Sequence, residues 1–374
     1  MRIAISAPIV EPQPTGVGVY SIKLVNELAK LCDDLLVYTS FPAAFEIDPV
    51  KVRRVSHLTR PERGLPGFLS RMIWMQTSLP LMALRDHDNV ILSTGTEGSL
   101  VPLVPQVVTV HDVIPILFPE LHPRASEVIF FRYFLPWVLR RSAAVIAVSQ
   151  STKRDIISLY NLPPDKVRVI YEGYDRELFH PYQDTQAVKR TYGLDQYIHY
   201  AGNILPHKNV ARVIQAFSLI ASKVPHQLVL QGRRDSRYAA YLEALIKELS
   251  VEHRVVFLGY VPLNCLPHLY SGASVFVTAS LSEGFGLPPL EAMACGTPVI
   301  ASGTSSLPEV VGDAGILVHP DNPEEIAEAM LRIINYPELR AELSQKAVRQ
   351  AALFSWSTAA SQTLEVLHSI ARGK

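Results

Sequence analysis

Two glutamates on either side of a glycine-containing loop are the side chains of this sequence most suited to chemistry. Seven residues separate Glu283 from Glu291, and the loop between them runs into a helix predicted to begin near Pro288. Backbone N–H groups of such a loop and the dipole of the helix favour a bound anion. Because carboxylates only accept hydrogen bonds, the two glutamates suit hydroxyl groups beside that anion. The spacing favours a diphosphate with a sugar at each end, although glycine turns also occur in α/β proteins without a ligand.

A lysine and two arginines follow other predicted strands and could add positive charge beside such an anion. Lys208 stands directly before a predicted helix, where its ammonium could reach a phosphate. The alternative is a solvated lysine, with Asn209 as the N-cap of the helix. Arg233 and Arg234 follow a further strand, and one of them could pair with a diphosphate. The pattern leaves open which arginine points inward and whether both face solvent.

The N-terminal half offers a histidine and a second glycine loop. His111 follows a predicted strand, where it could hydrogen-bond a sugar or take part in acid–base chemistry. A histidine satisfied within its own loop is the alternative. Gly16, Val17 and Gly18 precede the first predicted helix, but Ser21 stands where a dinucleotide-binding fingerprint has its third glycine. We therefore predict a loop that lets a substrate approach the backbone closely, not a dinucleotide site.

The scaffold that would position these side chains is predicted from alternating short apolar strands and helices. Such alternation is typical of parallel sheets covered by helices on both faces. A polar stretch at residues 175–186 interrupts it and indicates a linker. We predict an α/β fold with two Rossmann-like domains, residues 1–180 and 187–356, and an amphipathic helix at 357–374. Ligands of such sheets bind at the carboxyl ends of the strands, so a cleft between the domains is the expected active site.

The strands are predicted at regular intervals in both halves of the chain. Their positions are residues 2–7, 35–39, 89–93, 106–110, 143–148 and 167–171 in the first half, and 197–201, 227–231, 254–258, 274–278, 298–301 and 315–318 in the second.

Composition and charge exclude several classes of protein. The chain has 374 residues, of which 48% are hydrophobic, and this supports large buried cores. Lys plus Arg and Asp plus Glu both number 35, so charge gives no argument for a nucleic-acid partner. Cys32, Cys265 and Cys295 are widely spaced, which argues against a disulfide framework or a zinc site. The opening strand and the lack of a bilayer-length apolar run favour a soluble, cytoplasmic protein.

Two segments have a second interpretation beside the simpler one. Asp86-His87-Asp88 is formally a DxD motif of the kind that can hold a metal, but a solvated turn is favoured, so no metal site is predicted. Residues 130–141 mix aromatic side chains with arginines. A core-packed helix with a polar edge is favoured here over a peripheral contact with the inner face of a membrane.

Taken together, these segments resemble the retaining glycosyltransferases of family GT4, which have the GT-B fold. The resemblance runs through nearly the whole chain. It rests on segments that occur in the family's order: the GlyValGly loop at 16–18, residues 147–155, the Pro-His-Lys-Asn segment at 206–209, the Glu-x7-Glu element at 283–291, and the closing residues 354–356. The resemblance implies two domains that face each other across a cleft, and a C-terminal helix that crosses back to the N-terminal domain.

The resemblance also implies roles for the residues of the second domain. Glu291 would hydrogen-bond the ribose of a nucleotide-sugar donor, and Glu283 would contact hydroxyls of the transferred sugar. Lys208 would neutralise the leaving phosphate. The residues implied to complete the donor site are the backbone around Phe285, Gly286 and Leu287, with Tyr260 and Val261 near the base.

Further roles follow for the remaining candidates. His111 would sit beside the anomeric carbon of the donor, and the loop of Gly16, Val17 and Gly18 would line the diphosphate and acceptor side. Many family members carry an arginine where this sequence has Asn203. Phosphate charge would therefore rest on Lys208 with Arg233 or Arg234.

The activity implied by the resemblance is retaining, metal-independent sugar transfer without a cofactor. Residues 111–119 look like the corresponding segment of bacterial polysaccharide mannosyltransferases, so GDP-mannose is favoured over UDP-sugars as donor. The acceptor would be a glycan, a lipid-linked glycan or a small molecule. A nucleotide-sugar epimerase or hydrolase on the same fold, or a non-catalytic nucleotide-sugar-binding partner, are the alternatives.

Overall fold

The chain forms two compact units, each built around its own parallel sheet. The N-terminal unit comprises Met1–Gly173 and the chain from Ser355 onward, and the C-terminal unit comprises Tyr174–Phe354. The computed structural model describes residues 1–122 and 124–372, except for the side chains at positions 236 and 237. The polar stretch at 175–186 lies within the C-terminal unit.

A sheet of seven strands forms the centre of the N-terminal unit. In chain order the strands are β1 (Ile3–Ser6), β2 (Leu35–Thr39), β3 (Val52–Arg54), β4 (Val90–Ser93), β5 (Gln106–Val110), β6 (Ala144–Ala147) and β7 (Val167–Val169). They lie in the order β3-β2-β1-β4-β5-β6-β7, and neighbouring strands are parallel. The central strands are buried along their whole length, because a parallel sheet is covered on both faces.

Helices and turns connect these strands. The helices are α1 (Gly16–Leu31), α2 (Leu65–Gln76), α3 (Ser78–Arg85), α4 (Ile114–Leu117), α5 (Ala125–Ile129), α6 (Leu135–Arg141) and α7 (Gln150–Tyr160). The alternation of the sequence predicts neither α2 nor α3, which lie in a stretch interrupted by Pro66 and Pro80.

The alternation of the sequence also predicts a helix over residues 125–140, and in the structure this helix contains a π-helical turn at Phe130–Phe134. Pro136 lies just inside α6. It has no N–H to donate, and its ring would clash with a carbonyl of a continuous α-helix. The amide of Leu135 therefore bonds to the carbonyl of Phe130, five residues earlier. The helical prediction is confirmed over residues 125–140, but the inserted π turn shifts the face on which the following side chains lie.

A second parallel sheet forms the centre of the C-terminal unit. Its strands are β8 (Tyr197–Ala201), β9 (Gln227–Gln231), β10 (Val255–Gly259), β11 (Val275–Thr278), β12 (Val299–Ser302) and β13 (Gly315–Val318), in the order β10-β9-β8-β11-β12-β13. Its helices are α8 (Gln186–Tyr192), α9 (Val210–Ser218), α10 (Ser236–Glu248), α11 (Leu266–Gly272), α12 (Leu287–Ala294), α13 (Leu307–Val311), α14 (Pro323–Asn335) and α15 (Pro337–Ala351).

The last helix, α16 (Trp356–Arg372), packs against α1 and completes the N-terminal unit, as the resemblance implied. The chain enters α16 beside Gly173, where a Cβ atom would overlap the backbone of Ser355 and Trp356. Only glycine allows this approach. The buried ring of Trp356 then stands edge-on to Tyr20, with 5.8 Å between the ring centroids.

Candidate functional site

Lys208 and Glu283 form a direct ion pair in the C-terminal unit. The Lys208 Nζ lies 2.6 Å from Glu283 Oε2, and the hydroxyl of Ser280 donates to Glu283 Oε1 at 2.7 Å. The two segments are also joined through their backbones, because Leu281 N donates to His207 O at 2.9 Å. The structure therefore brings together two residues that the sequence predicted separately, and the alternative of a solvated lysine does not hold.

The charge state of Glu283 follows from these contacts. Burial acts to raise the pKa of its carboxyl, but the charge and hydrogen bond of Lys208 and the hydrogen bond of Ser280 outweigh it. The pKa of Glu283 consequently lies below its ordinary value, and the side chain is a carboxylate at neutral pH. A carboxylate at this position can accept hydrogen bonds from hydroxyl groups of a ligand, while the ammonium beside it can meet a negative charge.

The loop after Glu283 enters α12 through a glycine that no other residue could replace without strain. Gly286 has φ of +114°, and a Cβ there would come within 2.9 Å of Leu307 Cδ2. Two serines of the loop after β12 hold this turn: Ser305 Oγ donates to the carbonyl of Glu283 at 2.6 Å, and Ser306 Oγ donates to that of Phe285 at 2.7 Å. The first turn of α12 is thereby fixed, with Leu287 at its start.

Glu291 lies in α12 and differs in charge from Glu283. Its Oε2 accepts a hydrogen bond from the hydroxyl of Tyr270 at 3.1 Å. Burial raises the pKa of Glu291 to about 8, opposed by the Tyr270 hydroxyl and reinforced by the charge of Asp175. At neutral pH the carboxyl of Glu283 is therefore ionised, whereas that of Glu291 is largely protonated. The difference arises because only Glu283 has a lysine beside it.

The two arginines after β9 have different surroundings. Arg234 Nη1 lies 3.1 Å from Glu243 Oε1, and its guanidinium lies 4.8 Å from the centre of the Phe257 ring. The side chain of Arg233 is exposed, and its carbonyl accepts from Ile204 N at 2.8 Å. The side chain of Arg234 is exposed as well, so these contacts do not decide which of the two arginines would meet an added phosphate.

The other predicted donor-site residues lie at the ends of β8 and β10. The carbonyl of Asn203 accepts from the hydroxyl of Tyr200 at 3.3 Å, and the Asn209 side chain, expected to cap a helix, donates instead to Pro320 O at 2.8 Å. Val261 is buried in the core, whereas the neighbouring Tyr260 is exposed. Tyr260 is therefore the side chain of this pair that a planar ring could stack on.

In the N-terminal unit, both ring nitrogens of His111 have an acceptor. Nε2 lies 2.8 Å from the carbonyl oxygen of Thr94, and Nδ1 lies 3.4 Å from Glu172 Oε1. A carbonyl oxygen can only accept, so Nε2 carries a proton, and Nδ1 faces the carboxyl group of Glu172. Both side chains are buried. This geometry fixes the orientation of the His111 ring through both of its nitrogens.

The pKa of His111 agrees with this assignment. Burial acts to lower it, but the hydrogen bond and charge of Glu172, the Thr94 carbonyl and the charge of Asp112 together raise it above the ordinary value. The ring of Tyr20 packs edge-on against the imidazole at 4.6 Å between centroids. His111 is consequently held in place from three sides.

The glycine loop at the start of α1 is tied to the same group of residues. Ser21, the residue in the place of a fingerprint glycine, donates from its hydroxyl to Val17 O and to Thr94 Oγ1, both at 2.8 Å. A Cβ on Gly18 would come within 2.9 Å of Pro14 Cβ, whereas Gly16 has open space around it. The serine therefore connects the loop to the strand end whose carbonyl holds His111.

Sequence reasoning missed Glu172, Tyr270, Ser280 and the serine pair after β12. Glu172, Ser280 and the serine pair each follow the carboxyl end of a strand, which is the criterion that singled out His111. Applied to every strand, this criterion would have found them. Tyr270 lies inside α11, and no local pattern marks it.

The Asp86-His87-Asp88 segment lies before β4, at the opposite end of the strand from Thr94. Asp86 accepts from the Tyr38 hydroxyl at 3.1 Å, and Asp88 is buried, so the expected solvated turn is wrong for Asp88. Within residues 1–122 and 124–372, no three His, Cys, Asp or Glu side chains are grouped so as to hold a metal ion.

Known protein families and individual relatives match nearly the whole length of this chain. The model for "Glycosyl transferases group 1" matches residues 182–350, and that for "Glycosyltransferase Family 4" matches residues 14–178. O-antigen chain mannosyltransferase B of Escherichia coli is 31% identical, over 97% of this chain and 98% of its own length. Alpha-maltose-1-phosphate synthase of Mycolicibacterium smegmatis is also 31% identical, over 99% of this chain and its entire length. Among solved structures, Anabaena HepE in complex with UDP and glucose has a TM-score of 0.78 at 22% identity, covering 99% of this chain and 100% of its own.

Proposed function

The chain belongs to the GT4 glycosyltransferases and has their GT-B fold, and on this basis we propose that it transfers a mannosyl group, with retention, from GDP-mannose to a glycan, lipid-linked or small-molecule acceptor. Support for mannose comes from the O-antigen mannosyltransferase of E. coli, which aligns over nearly its whole length. A UDP-sugar is the second candidate donor, because the HepE structure holds UDP and glucose.

The observation that carries this proposal is the ion pair of Lys208 and Glu283 beside the loop that enters α12. A nucleoside diphosphate departs readily only if its developing negative charge is stabilised. An ammonium and the N-terminal turn of a helix provide such stabilisation in advance of the reaction. On this proposal Lys208 meets the leaving phosphate, and Glu283 accepts hydrogen bonds from hydroxyls of the sugar.

The remaining residues serve binding and orientation on this proposal. The carboxyl of Glu291 binds the ribose hydroxyls, and Tyr270 holds that carboxyl in place. Arg233 adds charge near the diphosphate, and Tyr260 packs against the base. His111, whose Nε2 donates to the carbonyl of Thr94, is the residue of the N-terminal unit proposed to contact the transferred sugar.

We propose that the acceptor attacks the same face of the sugar from which the phosphate departs, so that the anomeric configuration is retained. The C–O bond to the leaving phosphate breaks as the acceptor oxygen bonds to the anomeric carbon, and the leaving phosphate takes the acceptor's proton. A double displacement would instead need a carboxylate that attacks the anomeric carbon, and the carboxylate of Glu283 is already paired with Lys208.

A variant series tests the proposal. Lys208→Ala should lower kcat by about 100-fold or more while the fold is retained, because one stabilising charge on the leaving group is lost. Lys223→Ala, which removes an exposed lysine of the same unit, is the matched control. Turnover of Lys208→Ala near the wild-type value would contradict the role in leaving-group departure.

The donor and the reaction type require separate measurements. A thermal-shift series with GDP, UDP and ADP identifies the base, since a ligand present at 100 times its Kd stabilises the native state by about 2.7 kcal/mol. Incubation with the donor alone, followed by analysis of the sugar, distinguishes transfer from epimerisation or hydrolysis. Binding without turnover across an acceptor series would instead favour a non-catalytic nucleotide-sugar-binding protein.

A further inference from the structure

One face of the N-terminal unit exposes aromatic rings together with arginines, away from the residues considered so far. This aromatic–arginine face consists of Arg132, Tyr133, Phe134, Trp137, Arg140 and Arg141, on the π turn and α6. The rings are well exposed: 61% for Tyr133, 49% for Phe134 and 57% for Trp137. Sequence reasoning favoured a core-packed helix here, and for these three rings that prediction is wrong.

The exposure follows from how this segment packs. Phe130, Leu135, Val138 and Leu139 bury the opposite face in the core of the N-terminal unit. Aromatic side chains of surface helices usually lie on the buried face. Three exposed rings within five residues form an apolar patch of the kind that marks an interaction surface.

All charge on this face is positive. No Asp or Glu occurs between Glu127 and Asp155 in the sequence. Arg132 and Arg141 make no ion pair with any residue that the structure describes, and Arg140 donates to the carbonyl of Tyr160 at 3.2 Å. The face therefore combines apolar rings with arginines that form no ion pair with a carboxylate among the residues that the structure describes.

A shallow pocket lies within the aromatic–arginine face. It has a volume of about 330 Å³, and its lining includes Arg132, Tyr133, Trp137 and Arg140 together with Ile116 and Leu159. The guanidinium of Arg140 stands 5.9 Å from the centre of the Trp137 ring. Guanidinium groups bind phosphate oxygens in pairs, so the pocket suits one phosphate on a partly apolar carrier.

A neighbouring helix extends the apolar surface. Phe68 of α2 packs against Phe130, with 5.8 Å between ring centroids. On the outer side of α2, Leu65, Leu69 and Ile73 are exposed at intervals of four residues, so they lie along one face of the helix. Apolar residues are thus exposed on two elements that pack against each other.

We propose that the aromatic–arginine face docks on an anionic lipid bilayer, with one headgroup phosphate in the pocket. Tyrosine and tryptophan favour the headgroup level of a membrane, where the ring is partly apolar and its polar atom stays hydrated. Arginines beside them are attracted by anionic lipids. A second copy of the chain is a poorer occupant, because a symmetric contact through this face would place arginine against arginine. No helix in the described part of the chain has the length and apolar character to cross a membrane, so the contact proposed is peripheral.

Vesicle flotation tests this proposal without any donor or acceptor, so its outcome is independent of the proposed enzymatic function. The full chain is mixed with phosphatidylcholine vesicles, with or without phosphatidylglycerol. We expect flotation with the anionic vesicles only, and less of it as salt is raised. Each positive charge near an anionic membrane raises the partition coefficient of a protein between membrane and water about fivefold. Arg132→Glu changes the charge by two units and should therefore weaken vesicle binding by about 25-fold.

Matched variants separate the face from general effects of charge and apolar area. Trp137→Ser should weaken flotation by about tenfold, because an exposed ring can no longer be buried in the headgroup layer. Arg54→Glu and Tyr336→Ser, exposed residues outside the face, should leave it unchanged. Equal flotation of all variants, absence of wild-type flotation, or a dimer that Trp137→Ser dissociates would each overturn the proposal. Circular dichroism verifies that the variants fold.

Discussion

At the scale of single residues, each unit contains a buried carboxyl beside a nitrogen base, in a loop that follows a strand of its sheet. Glu283 has Lys208, and Glu172 has His111. Burying a charge is costly unless a partner and hydrogen bonds compensate, so removing one member of such a pair costs more than the pair contributes. Glu291 has no base beside it, and burial raises its pKa to about 8 instead. Glu283 and Glu291 thus take their charge states from their neighbours.

Glu172→Ala should destabilise the N-terminal unit most at low pH. Because the pKa of His111 is raised in the folded protein, protonation of its ring stabilises the wild type. This contribution is full below the pKa of the ring in the unfolded chain, and it is lost as pH rises through the pKa in the folded protein. In the variant, burial without Glu172 opposes protonation, so the loss of stability near pH 6 should be about 3 kcal/mol and should shrink at higher pH.

Urea denaturation and NMR titration of the His111 ring measure this effect. Glu172→Gln keeps a hydrogen-bonding group and should retain the ring orientation while lowering the pKa. Glu120→Ala, at an exposed position of the same unit, serves as control. An unchanged His111 titration in Glu172→Ala would show that Glu172 does not raise the pKa of His111.

Glu291→Gln should flatten part of the pH dependence of stability. The folded pKa of Glu291, about 8, lies above its unfolded value, so its contribution is full below the unfolded pKa and is lost as pH rises through about 8. Wild-type stability should therefore fall relative to the variant between about pH 5 and about pH 9. Urea midpoints of both proteins across this range measure the difference, and parallel profiles would show that Glu291 ionises normally.

At the scale of elements, the site depends on loops that leave the carboxyl ends of neighbouring strands. The loop after β11 carries Glu283, and the loop after β12 supplies Ser305 and Ser306, which hold the turn into α12. The π turn has a comparable effect in the N-terminal unit, since it fixes which side chains α6 exposes. In both places a short irregular segment determines where a functional group points.

Gly286→Ala should lower the free energy of unfolding more than the same substitution at a glycine whose left-handed conformation is its only constraint. At Gly193, φ is +65° and no atom lies within 4 Å of a new Cβ, so Gly193→Ala should cost about 1–2 kcal/mol. At Gly286 the added Cβ also meets Leu307, and the cost should reach about 3 kcal/mol. Nucleotide affinity should fall for Gly286→Ala alone, as measured by calorimetry; equal affinity in both variants would show that the turn does not form the anion site.

At the scale of the whole molecule, two units have separate sheets and cores, and α16 returns the end of the chain to the first unit. The contact depends on Gly173, which lies next to Glu172 and against the backbone at the start of α16. The position of the last helix is therefore coupled to the strand end that holds His111.

Gly173→Ala should destabilise the N-terminal unit alone. The new Cβ meets backbone atoms of Ser355 and Trp356, which cannot move aside as a flexible side chain would. Hydrogen–deuterium exchange should show lost protection in α16, α1 and β7, and unchanged protection in β8 and β11. Equal loss of protection in the sheets of both units would contradict the prediction that only the N-terminal unit is destabilised.

The sequence by itself determined the α/β class, most strands and the positions of Lys208, His111 and the two glutamates. These depend on local patterns: apolar runs, glycine turns and polar residues that follow strands. Only the tertiary structure decided that Lys208 pairs with Glu283, that Glu172 holds His111, and that the rings of α6 face outward. Those outcomes depend on contacts between residues far apart in the chain and on the shift introduced by one π turn, and the apolar periodicity of the sequence predicts neither. The same reason separates the charge states of Glu283 and Glu291, which look equivalent in sequence and differ only in their neighbours.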